Sequence, residues 1–135
     1  MFGHFIEAQA GVYAQVLAEL RAGRKRSHWM WFIFPQLRVL GRSVTAQRFG
    51  LAGLDEAQAY AAHDLLGARL RECVGLANAF AGESALDLFG PPDDLKYRSC
   101  ATLFFCATKE HLFKQALDKF YGGAEDPLTL EALAR

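Results

Sequence analysis

The run Ser27-His28-Trp29-Met30-Trp31-Phe32-Ile33-Phe34-Pro35-Gln36-Leu37, closed by Gly41-Arg42-Ser43, holds both tryptophans of the chain with only Met30 between them. Indole rings beside an imidazole can stack on a planar ligand, and a guanidinium such as Arg42 can grip an anionic group through two parallel hydrogen bonds. The competing reading is a core-forming aromatic run, the commoner fate of such clusters in a small domain. His28, Gln36 and Arg42 weigh against it, because polar groups inside an apolar stretch need partners.

A second group is Asp93-Asp94-Leu95-Lys96-Tyr97-Arg98-Ser99-Cys100-Ala101-Thr102. On a helix, Lys96 and Ser99 share a face, and a helix N-terminus with both nearby could receive a phosphate. The plainer reading is a capped helix with a solvated charge cluster. A third group is Glu56, Tyr60 and His63, whose spacing puts all three on one helical face. A carboxylate beside a histidine is the minimum for acid–base work, and also an ordinary surface arrangement.

His4, His28, His63 and His111 show no H-x-x-x-H or H-E-x-x-H spacing, so no metal site is expected. Cys73, Cys100 and Cys106 form no C-x-x-C pair and read as free thiols of a reducing compartment, the cytoplasm. Nothing local marks a Cys–His nucleophile. Neither a G-x-G-x-x-G nor a P-loop pattern occurs, and no cofactor is expected. Arg24-Lys25-Arg26 is short and balanced by acids elsewhere, so a nucleic-acid partner is not expected.

The elements that must position these groups are helical. Phe5, Val12, Val16 and Leu20 recur at helical period, which predicts one helix from about Phe5 to Ala22. His28 to Phe34 has no clean period and reads as a short buried helix ended by Pro35. Short helices follow over Val44–Phe49 and over Glu56–His63, the latter with Asp55 as a possible cap. Leu66, Leu70, Cys73, Val74 and Ala77 share a face of a longer helix, Leu65–Phe80. Ser84–Phe89 is short, and Pro91-Pro92 opens a helix reaching towards Cys106, although Thr102–Cys106 is rich in β-formers. Lys109–Tyr121 is amphipathic, and Thr129–Ala134 is a last short helix. No strictly alternating run argues for a sheet. The expected fold is all-α, a single compact array of about seven or eight short helices rather than a four-helix bundle.

The chain has 135 residues, which predicts one helical domain over 1–135. Hydrophobic residues make up 52% and charged residues 22%, a composition that argues against disorder. Lys and Arg number 15, as do Asp and Glu, so no global electrostatic grip on nucleic acid or an acidic membrane is indicated. No signal peptide is visible at Met1-Phe2-Gly3-His4, and the longest apolar run, Trp29 to Pro35, is far short of the roughly 20 residues of a membrane span.

Lys25 to Leu37, followed by Leu40-Gly41-Arg42-Ser43, closely resembles the signature of the domain of unknown function 1810 family. Further blocks match in order: Glu56-Ala57, Ala59-Tyr60, His63, Leu66-Gly67 and Arg69-Leu70; then Phe89-Gly90, Asp93 to Lys96, Arg98-Ser99 and Thr102 to Phe104; then Leu117 to Phe120, Gly122-Gly123, Asp126 and Thr129-Leu130. The resemblance covers nearly the whole chain and implies a small helical protein of bacteria and fungi. Two departures stand out. Asp64 follows the histidine where the family usually has proline, and Cys100 stands where it often has a second serine, which puts a role for that hydroxyl in doubt. Family members are sometimes labelled calpastatin, but calpastatin-type inhibition uses disordered repeats and this composition is that of a folded domain. Ala116 to Phe120, followed by Leu128 to Leu133, is distantly similar to a helical stretch of the NADAR superfamily, a group linked to NAD and ADP-ribose metabolism that acts as N-glycosidases.

Three readings follow. In the first, the protein binds a nucleotide-like or ADP-ribosylated small molecule and, as an enzyme, cleaves an N-glycosidic bond. Trp29 and Trp31 would stack the base, Arg42 and Lys96 would hold phosphate, and Gln36, Ser43 and Ser99 would complete the ligand contacts. Glu56 would stabilise an oxocarbenium-like centre or position water, with His28 or His63 moving protons. The second reading is a non-catalytic protein-interaction module. The third is a weak nucleic-acid module using Arg21 and Arg24 to Arg26. The oligomeric state is left open.

Overall fold

Gly11 and Val12 interrupt the first helix although the apolar period runs on through them. The computed structural model, which describes residues 1–135, has two helices there, α1 (Gly3–Ala10) and α2 (Tyr13–Ala22), instead of one. Val12 leaves the helical region at φ −126° and ψ −7°. A glycine inside a helix costs about 0.5–1 kcal/mol relative to alanine, so the chain bends where the helix is weakest. Phe5 and Val16 are both buried completely across that bend.

The aromatic run forms a single turn, α3 (Met30–Ile33), followed by a 3₁₀ turn at Arg38–Leu40. A lone parallel bridge pairs Leu37 with Leu51: the Arg38 N–H donates to the Leu51 carbonyl at 2.8 Å, and the Leu51 N–H to the Gln36 carbonyl at 2.9 Å. The Ser43 hydroxyl accepts from the Ala46 N–H at 3.0 Å and caps α4 (Val44–Arg48). In α5 (Leu54–Ala62) the cap position is Gly53, and Asp55 lies in the first turn instead. His63 caps α6 (Asp64–Asn78), its Nδ1 accepting from the Leu65 and Leu66 N–H groups at 3.2 Å. Gly67 sits so close to the end of α5 that an added Cβ would stand 2.2 Å from the Ala61 carbonyl oxygen.

Ser84 caps α7 (Ala85–Phe89), and α8 (Asp93–Thr108) runs through the middle of the molecule. Thr102, Leu103 and Phe104 are fully buried on α8, so packing overrides the β preference of that stretch. Around α8 pack α5, α7, α9 (His111–Tyr121) and α10 (Pro127–Ala134), the last capped by Asp126, whose Oδ2 accepts from the Thr129 N–H at 3.0 Å. The total is ten α-helices and no strand, more than the seven or eight expected, because the first pattern splits and one-turn helices are easily passed over. The rings of Phe34 and Phe89 meet Tyr97 at 4.8 and 4.5 Å, which joins α3, α7 and α8 in one apolar cluster. No helix is long and apolar enough to cross a membrane.

Candidate functional site

The site begins with a carboxylate buried on α2. Glu19 is 3% exposed. Its Oε1 accepts from the backbone N–H groups of Arg26 at 2.7 Å and Ser27 at 2.9 Å and from the Trp29 indole at 2.9 Å. Its Oε2 accepts from the Ser27 hydroxyl at 2.6 Å and the Gln15 amide at 2.8 Å. Burial alone would push this carboxyl up, but the hydrogen bonds outweigh it and hold it at about 2. Ser27 and Trp29 are thereby drawn inward, and Arg26 and His28 between and before them stay exposed.

Lys25 precedes this cage and locks the loop to α8. Its ammonium lies 2.9 Å from Asp93 Oδ2, donates to the Ser27 carbonyl and stands 5.0 Å from the Trp29 ring centre. The side chain of Lys25 is 6% exposed. Asp93 also faces Lys96, one turn on, at 3.8 Å, and the Lys96 ammonium lies 5.5 Å from the Trp31 ring centre. Two lysines, each against an indole, therefore share one carboxylate. Between the loop and the start of α8 opens a cleft of about 350 Å³ lined by Arg26, His28, Trp31, Phe89, Asp93 and Lys96, among others.

Of the residues singled out in the sequence, the cleft brings together His28, Trp31 and Lys96. Gln36 lines a small adjoining hollow that Trp31 and Lys96 also touch. Trp29 is 1% exposed and faces Glu19, not the cleft. Ser99 turns away towards α10, donating to Asp126 Oδ2 at 3.2 Å and to the Leu95 carbonyl at 3.3 Å. Arg42 is exposed on the turn before α4, where Ser43 serves as a cap. Glu56 lines a separate hollow with Met1 and Asp55, accepts from the Ala52 N–H at 3.3 Å and faces Arg38 at 3.9 Å. Tyr60, which the spacing set beside Glu56 and His63, is fully buried.

Glu19, Lys25 and Asp93 do most to shape this region; Lys25 and Asp93 stand in motifs singled out in the sequence without a role of their own, and Glu19 stands in none. The available signal for Glu19 is its place beside Val16 and Leu20, on the stripe that α2 buries. Burial raises the Cys73 thiol to about 12 and the Cys100 thiol well above its ordinary value, which leaves neither as a ready nucleophile. No three His, Cys, Asp or Glu side chains come together in a way that could hold a metal ion.

The chain belongs to the family described as Protein of unknown function (DUF1810), whose pattern matches residues 2–133. Among solved structures, the chain is similar to the conserved hypothetical protein Rv1873 from Mycobacterium tuberculosis. The identity is 57% over 98% of this chain and 95% of that one, with a TM-score of 0.96. No curated protein matches the chain. The likeness of the ending to the NADAR superfamily gains no support from these matches.

Proposed function

We propose that the protein binds a small anionic ligand with a planar part, a nucleotide-like or ADP-ribosylated molecule, in the cleft between the 25–31 segment and the start of α8. The observation that carries this reading is the pairing of Trp31 with the Lys96 ammonium at 5.5 Å, with Arg26 and His28 on the same cleft. An indole offers a stacking surface, and neighbouring cations offer charge-assisted hydrogen bonds to phosphate. Gln36 adds a neutral hydrogen-bonding side chain in the adjoining hollow that Trp31 and Lys96 also line. Arg42, Ser43 and Ser99 lie outside this cleft.

Cleavage of an N-glycosidic bond needs a carboxylate or an activated water near the reacting centre. Glu56 and His63 are not at this cleft, so such a reaction would fall to Asp93 and His28. The three free thiols suit a reducing compartment, which favours the cytoplasm.

A thermal-shift screen against NAD, ADP-ribose, nucleotides, nucleosides and sugar phosphates tests the binding reading. A ligand at 100 times its Kd adds about 2.7 kcal/mol of stability, enough to raise Tm by several degrees. The reading requires a hit that Trp31→Ala or Lys96→Ala abolishes. A flat screen on folded protein would move the weight to a protein-contact surface. That second reading is favoured by Val39 and Val44, which are 68% and 85% exposed and bracket Arg42.

A further inference from the structure

We infer that the ligand of this cleft is a nucleoside monophosphate rather than a dinucleotide or ADP-ribose; this rests on the reading of the cleft as a nucleotide-like site. The stacking surface is one ring. Trp29 is 1% exposed with its indole N–H held by Glu19, which leaves Trp31 as the indole within reach of a base.

The charge is enough for one phosphate. Lys25 is engaged by Asp93 and the Ser27 carbonyl and is 6% exposed, so it serves the scaffold. Lys96 stands 3.8 Å from Asp93, too far for a good hydrogen bond, and its donors remain open to an incoming oxygen. Arg26 and His28 are exposed beside it. A phosphate monoester carries about −1.5 to −2 charges near pH 7 and three strong acceptor oxygens. Lys96, Arg26 and His28 together match that demand.

A second phosphate inside the cleft meets the Asp93 carboxylate, and the next cation, Arg24, lines a separate hollow with Lys25 and Arg26. The same carboxylate can accept hydrogen bonds from sugar hydroxyls while it holds Lys25. The cleft, at about 350 Å³, lies near the lower end of ligand pockets, which run from about 300 to 1,000 Å³. One ring, one sugar and one phosphate fit these three limits together.

Titration calorimetry on the intact chain with AMP, adenosine, ADP-ribose, NAD and inorganic phosphate tests the inference. The expected result is AMP binding at least about tenfold tighter than each of the others. Lys96→Gln should weaken AMP by about tenfold while leaving adenosine unchanged, and Trp31→Leu should weaken both. ADP-ribose or NAD binding as tightly as AMP, with the same sensitivity to Trp31→Leu, would overturn the monophosphate inference and leave the cleft reading standing. Inorganic phosphate binding as tightly as AMP would also overturn it, since the ring would then contribute nothing. Failure of every probe to bind the folded chain would overturn both.

Discussion

The Glu19 carboxylate accepts the Trp29 indole N–H at 2.9 Å, and the same oxygen takes the backbone N–H groups of Arg26 and Ser27. One buried acid thus fixes the path of the loop that carries Arg26 and His28. Glu19→Ala would strand the buried Trp29 indole and several part-buried donors, and an unsatisfied buried group costs about 1–3 kcal/mol. The expected loss is at least about 3 kcal/mol, read by urea denaturation. Glu19→Gln keeps one acceptor oxygen and should lose less. A variant as stable as the parent would show that the cage contributes nothing.

The same acid sets the low-pH edge of stability. Its folded-state value of about 2 lies below its ordinary 4.5, so the unfolded chain binds the proton first as pH falls. The stabilisation is therefore complete above about pH 4.5 and drains away towards pH 2, a change on the order of 3 kcal/mol. Glu110, held down by the Arg71 guanidinium, contributes in the same direction. Acid denaturation of Glu19→Gln should be shallower than that of the parent, and equal slopes would contradict the assignment.

Two glycines on α6 should respond oppositely to alanine. At Gly67 the new Cβ meets the Ala61 carbonyl oxygen at 2.2 Å, and backbone must move to admit it. The variant should lose about 2 kcal/mol or more, as overpacked sites do. At Gly75 nothing lies within 4 Å, and alanine should stabilise the helix by about 0.5–1 kcal/mol. Paired thermal melts decide it.

Thiol labelling should be ordered by burial. Cys106 is partly exposed, whereas Cys73 and Cys100 are buried and their thiols are pushed well up. A thiol reagent near neutral pH should modify one cysteine slowly and the other two only after unfolding. Rapid labelling of all three in the native state would refute the packing described for α6 and α8.

Helices whose pattern is long and unbroken are legible in the sequence. Leu66, Leu70, Cys73, Val74 and Ala77 form a stripe on paper, and all five are buried. The break at Val12 is not legible, because Phe5, Val12 and Val16 keep helical period straight through it. At the site, His28, Trp31 and Lys96 do share one cleft, since His28 lies on the loop that leads into α3, Trp31 in α3 itself and Lys96 on α8. Glu56, Arg42 and Ser99 go elsewhere, because where α5, α4 and α10 dock is a tertiary outcome that spacing does not encode. The two tryptophans could not share a role. On a single turn that opens at Trp29, one indole is pulled inward by Glu19 and the other stays half-buried at the cleft.

The in-and-out alternation along residues 26 to 29 separates two kinds of freedom. Ser27 and Trp29 are tied to the scaffold, so changes there are felt throughout the molecule. Arg26 and His28 owe their placement to backbone amides and to their neighbours, and either side chain can be replaced without loosening the cage. The protein is in that sense a holder with interchangeable tips: under the proposed binding reading, an acid at 19 and an indole at 29 keep the frame while the side chains at 26 and 28 set what the cleft takes.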